Sequence, residues 1–173
     1  TQLLRARAGL GPGGRGRITR PRGEAICYLP RGTPYLPRGT LREVLAYPMK
    51  VDGFGAGAFT QALARLGLER LEAQLDQERR WDRELSHDEQ LGLAFARMVL
   101  QRPPWVLIDE AFGALEDEAL QRVIELFENE LAGSALIHIG RAGEARDELF
   151  SRTVHLVRSD AGATATSAPG PRS

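Results

Sequence analysis

The run Trp105-Val106-Leu107-Ile108-Asp109-Glu110 sets four apolar residues directly before two adjacent carboxylates. Such a run reads as a short strand buried on both faces, the kind found inside parallel sheets. In open α/β sheets ligands bind at the carboxyl ends of the strands. An acid placed there can hold Mg2+, which takes oxygen ligands and keeps several of its waters. A second acid beside it can orient or deprotonate an attacking water. The same run also describes a strand that ends in two solvated acids, and by itself it favours neither reading.

A second cluster, Leu85-Ser86-His87-Asp88-Glu89-Gln90, lies about twenty residues upstream and leads into Ala94-Phe95-Ala96-Arg97. Ser86 with Glu89 makes a capping box, the signature of a helix amino terminus. Read plainly, this is a well-capped helix. The free N–H groups and partial positive charge of a helix start also suit a phosphate.

The surrounding pattern supplies the elements that must position these residues. Leu91, Ala94, Phe95, Met98 and Val99 give a helical apolar face, stopped by Pro103 and Pro104. Ala25 to Leu29 reads as a strand, Ala135 to Ile139 as a second buried strand and Thr153 to Val157 as a third. Leu120, Val123, Ile124, Phe127 and Leu131 fall on one helical face. Strands alternating with helices predict a parallel α/β sheet. Thr40 with Glu43 starts another capped helix, Asp52 to Ala58 reads as a flexible loop, and Phe59 to Leu66 has helical spacing ended by Gly67. Residues 69–84 are strongly charged and predict a solvated helical region. Residues 1–8 read as part of a helix and 9–16 as a glycine-rich loop. Leu29-Pro30-Arg31-Gly32-Thr33 recurs as Leu36-Pro37-Arg38-Gly39-Thr40. Ala, Gly, Thr, Ser and Pro dominate 159–173, which predicts a disordered tail.

Composition narrows the class. Lys+Arg and Asp+Glu both number 23 in 173 residues, so there is no basic excess of the kind nucleic-acid partners attract. The one cysteine, Cys27, excludes an internal disulfide. No apolar run reaches the roughly 20 residues that span a bilayer. The chain starts at Thr1, inside a helical pattern, and a fragment is the expectation.

Taken in order, these stretches resemble the ATP-binding domain of ABC transporters. Leu85-Ser86-x-x-Glu89-Gln90 resembles the signature motif, Trp105 to Glu110 the Walker B strand and Ala114-Leu115-Glu116 the D-loop. Tyr28-Leu29-Pro30 through Pro34-Tyr35-Leu36-Pro37, then Gly39-Thr40-Leu41-Arg42-Glu43, resembles the Q-loop region. Thr1-Gln2-Leu3-Leu4-Arg5-Ala6 is similar to the stretch that follows Gly-Lys in a Walker A loop. Within the family the wording looks most like subfamily D-type half-transporters, a group of fatty-acyl, peptide and vitamin B12 transporters.

The resemblance implies a P-loop NTPase core of ABC type: a parallel sheet with a helical subdomain over about 40–100, in a partial domain 1–158 without its first strands and P-loop. It implies ATP and Mg2+ as cofactors. Asp109 and Thr1 would hold Mg2+, Glu110 would be the general base, and Ser86 would contact the γ-phosphate across a dimer. Glu89, Gln90 and Arg31 belong to the implied nucleotide site, and Arg141 would stand in for the switch histidine. The implied partners are a second ATP-binding domain, in a homodimer, and a transmembrane domain fused upstream. The implied location is the cytoplasmic face of the inner (plasma) membrane.

Four positions depart from the family pattern. Asp88 holds the signature glycine position, where an acid favours the helix but repels a γ-phosphate. The Q-loop glutamine is replaced in Pro30-Arg31-Gly32-Thr33, with one residue extra. The switch histidine aligns with Arg141, whose planar fork can still reach a phosphate, while His138 shares a strand face with Leu136 and reads as structural. The D-loop aspartate is Glu116. Two readings follow: an ATP-hydrolysing motor that drives transport, or a degenerate, non-catalytic module or remnant.

Overall fold

The computed structural model describes residues 25–140, 149–157 and 164–169. The expectations for Thr1, for the helix and glycine-rich loop of the first 16 residues and for Arg141 lie outside the described residues. The described residues up to Gly140 form one compact unit and those from 149 onward belong to a second.

In the first unit, β1 (Ile26–Leu29), β4 (Trp105–Asp109) and β5 (Ala135–Ile139) form a three-stranded parallel sheet in the order β1-β4-β5. β4 is central, and Val106, Leu107 and Ile108 are buried, as an unbroken apolar run requires when both faces are covered. β5 is more exposed, because it has a described partner on one side only. Two short strands, β2 (Gly39–Thr40) and β3 (Glu78–Arg79), pair antiparallel away from this sheet.

Several short helices lie between β1 and β4. α1 (Leu41–Ala46) starts at Thr40 with both halves of the capping box made: Glu43 N–H donates to Thr40 Oγ1 and Thr40 N–H to a Glu43 carboxylate oxygen. α2 (Ala58–Arg65) buries Phe59, Ala62 and Leu63, and the chain leaves it through Gly67 at φ 70, a left-handed conformation that glycine adopts without strain.

Residues 69–84 are not one solvated helix. They form a 3-10 turn (Glu69–Gln74), β3 and a short helix α3 (Trp81–Glu84). Leu71, Leu75 and Trp81, each at most 3% exposed, pin this segment, while its charges stay outside in pairs such as Arg79–Glu84. So few apolar residues among so many charges point, from sequence alone, to a solvated helix.

α4 (His87–Gln101) packs on α1 and α2, and its Leu91, Leu93, Phe95 and Met98 are all essentially inaccessible. It also completes α1. The last carbonyls of a helix lack intrahelical donors, and here Arg97 donates to Val44 O at 2.8 and 3.2 Å while Gln101 donates to Ala46 O and Tyr47 O. Burial pulls the Arg97 pKa below the usual guanidinium value. α4 ends at Arg102 in the left-handed region, and Pro103 and Pro104 lead into β4. Ser86→Ala removes the acceptor that caps this helix and is expected to destabilise the fold by about 1 kcal/mol in urea denaturation. An unchanged midpoint and slope contradict the cap.

α5 (Asp117–Glu128) buries Val123, Ile124, Leu126 and Phe127. Arg65 at the end of α2 reaches Glu130 at 2.6 Å and Glu125 at 3.3 Å, fastening the helical layer to α5.

The second unit corrects two expectations. Thr153 to Val157 does fall in a strand, β6 (Arg152–Val157), but it pairs antiparallel with β7 (Thr164–Pro169) in a two-stranded sheet of their own, from Arg152 opposite Pro169 to Val157 opposite Thr164. Val154 is 47% exposed, so this is not a third buried strand. Residues 164–169, expected within a disordered tail, form β7. Alternating Thr, Ala and Ser are too polar to signal a core, yet they suit an extended ladder.

Candidate functional site

Register carries the candidate residues to one edge. Leu29 lies opposite Ile108, and Asp109 opposite Ile139. The segments that continue β1, β4 and β5, which begin with Pro30, Glu110 and Gly140, therefore leave the sheet together at its carboxyl end. Asp109 is fully buried there, and the Tyr28 hydroxyl on β1 donates to its Oδ2 at 3.2 Å. A strand is fixed by its ladder, so this carboxylate is held by backbone and tyrosine alike.

Glu110 follows with φ 56, a left-handed conformation uncommon outside glycine, and its N–H donates to Ile139 O at 2.7 Å. The Glu110 carboxylate, 24% exposed, meets Arg31 Nε at 3.2 Å. Arg31 thus meets Glu110, the residue directly after Asp109. Tyr28 was not foreseen: it sits inside an apolar run, and only the register of β1 on β4 reveals its partner.

Two further residues of this sheet make contacts of their own. His138 lies opposite Ile108, its ring tilted against Phe112 with centroids 4.7 Å apart. Cys27 on β1 has its thiol pKa pushed up by burial, with Arg97 offsetting part of the rise.

The candidates at the head of α4 form a second cluster. Ser86 is exposed, and its Oγ accepts from Glu89 N–H at 3.3 Å while Glu89 Oε2 accepts from Ser86 N–H at 2.9 Å. Glu89 also pairs with Arg70. Gln90 is 6% exposed, and its amide donates to Leu85 O at 2.9 Å and Asp82 O at 3.3 Å. Glu89 and Gln90 are therefore engaged in shaping the helix start, an engagement that sequence shows only for Glu89. Asp88 and Glu89 line a cavity of about 180 Å3 with Leu115 and Arg122, which makes the signature and D-loop stretches neighbours.

Mg2+ in phosphate chemistry is held by one or two carboxylates plus substrate phosphates and waters, not by a protein cage. A buried acid at the end of the central strand fits that requirement.

Comparison with known proteins agrees with this geometry. No family model matches the chain. An ABC transporter ATP-binding protein of Haemophilus influenzae is 34% identical over 140 residues, covering 81% of this chain and 23% of that protein. The inner membrane ABC transporter ATP-binding protein YddA of Escherichia coli is 30% identical, covering 80% of this chain and 24% of its own length. The mouse lysosomal cobalamin transporter ABCD4 is 32% identical, covering 81% of this chain and 25% of that protein. The chain therefore spans about a quarter of the length of these relatives. A bacterial Atm1-family ABC exporter, solved with ATP bound, superposes with a TM-score of 0.55 at 25% identity over 68% of this chain and 21% of its own. In its relatives, its fold match and the order of its loops, the chain is similar to the ATP-binding domains of ABC transporters, D-family members among them.

Proposed function

We propose that the chain works as the ATP-hydrolysing part of a membrane transporter, paired head to tail with a second copy of its ATP-binding domain. The observation that carries this reading is the buried Asp109 at the end of the central strand with Glu110 directly after it. Bound Mg2+ supplies charge neutralisation on the β- and γ-phosphates. Asp109, kept in place by Tyr28, would hold that cation. Glu110 accepts the proton of the attacking water at its carboxylate. Ser86, exposed at the head of α4, offers its hydroxyl to the γ-phosphate of nucleotide bound by the partner copy. Thr1 as a metal ligand and Arg141 as the switch residue complete the proposal. The 173 residues contain no Gly-Lys phosphate loop, their one lysine being Lys50 after Met49. A transmembrane domain as partner and a place at the cytoplasmic face of the inner membrane follow from the same reading.

The test is ADP release by the complete gene product with ATP and Mg2+. Turnover that vanishes with EDTA supports the motor. The exposed Asp88, a negative charge at the head of the signature helix, favours a second reading in which nucleotide binds without being hydrolysed. Retained ATP with no ADP above background selects that reading.

A further inference from the structure

The departure at Arg31 has a direct physical counterpart. Its guanidinium lies on Glu110, Nε to Oε2 at 3.2 Å, and the Arg31 side chain is 63% exposed against 24% for its partner. The pairing is built into the sheet. With Leu29 opposite Ile108 in β1 and β4, the residues two positions further on, Arg31 and Glu110, leave the sheet side by side. The two ends differ in freedom. Glu110 is fixed by its N–H bond to Ile139 O and its left-handed backbone. Arg31 precedes Gly32 at φ 91, with open space around it, and reaches Glu110 on a solvated arm.

We propose that Arg31 is a latch on Glu110, a positioning residue that occupies the carboxylate and restrains it from taking a proton. This rests on the ATPase reading above. A carboxylate acts as base through an oxygen lone pair aimed at the water. A guanidinium held by charge against one of those oxygens competes with the water for it and draws the carboxylate toward itself. Release requires the arginine to swing out, and the exposed arm is the end that can move. A fork of this kind also matches phosphate, so a bound nucleotide gives Arg31 somewhere else to go.

The pair is solvent-exposed on one side, which limits its strength. In the complete gene product, Arg31→Gln is expected to raise kcat by about one-and-a-half- to fivefold. Arg31→Lys, which keeps the charge without the fork, should fall between wild type and Arg31→Gln. Because salt screens an exposed pair, wild-type kcat should rise with KCl while that of Arg31→Gln stays flat, a difference no purely structural role produces. A second readout needs no turnover: in the full chain, solvent exchange of the Arg31 Nε–H, followed by NMR, should speed several-fold in Glu110→Gln. Faster exchange together with the kcat rise upholds the latch. Unchanged exchange, or an unchanged or lower kcat in Arg31→Gln, overturns it while Mg2+-dependent turnover leaves the ATPase reading standing. A wild-type protein with no turnover overturns both.

Discussion

Glu110→Gln in the complete gene product should cut ATP turnover by about 10²- to 10⁴-fold, the contribution of a positioned general base. The change keeps the shape of the side chain and its capacity for hydrogen bonding but removes the lone pair that takes the proton. The surroundings should hold. The Glu110 backbone is set by its N–H bond to Ile139 O, which the side chain does not enter, and Asp109 keeps its bond from Tyr28. ATP should therefore still bind, within a few-fold of wild type, and accumulate unhydrolysed on the protein. The measurement is a pair of assays on one preparation, retained nucleotide by filter binding and ADP release at saturating ATP. Equal turnover in the two proteins removes Glu110 from the chemistry. Loss of binding along with turnover points to a damaged fold, and thermal melting of the variant separates the two.

The second large effect lies in the helical layer. Trp81→Ala is expected to destabilise the fold by about 3–5 kcal/mol, the range for deleting a buried large aromatic side chain. Trp81 is 1% exposed and its indole N–H donates to Gly39 O at 3.1 Å. Gly39 stands directly before Thr40, whose capping box starts α1, so one side chain packs the core and steadies a helix entrance. Trp81→Phe separates the two contributions: it keeps most of the ring and leaves the Gly39 carbonyl without this donor, for an expected loss of about 1–3 kcal/mol. Urea denaturation followed by circular dichroism reads both. A loss under about 1 kcal/mol for Trp81→Ala would place that residue outside the energetic core, since cavities of that size relax only in part.

The two effects come from segments that sequence reads very differently. Asp109 and Glu110 were legible because their context is local: an apolar run long enough for a strand, then two acids. Trp81 was not, because its neighbours Arg79, Arg80, Asp82, Arg83 and Glu84 give the segment the composition of a solvated surface. Burial there is decided by what α4, β2 and the 3-10 turn leave uncovered, a tertiary quantity that no window along the chain contains.

The sequence by itself determined the capped starts at Thr40 and Ser86, the three strands of the parallel sheet and the α/β class. Each depends on interactions within a few residues or on a period that the chain displays openly. It also carried the resemblance to ABC transporter ATP-binding domains, through four loops in a fixed order. Only the tertiary structure decided which residues those loops meet. Arg31 and Glu110 are distant in the chain, and so are Tyr28 and Asp109; both pairs exist because β1 lies on β4 in one register. Sliding that register by one residue would turn every side chain of β1 to the opposite face. The strand pairing of β6 with β7 was equally out of reach, since Thr, Ala and Ser advertise no core, and a ladder is made by backbone groups that every residue carries alike.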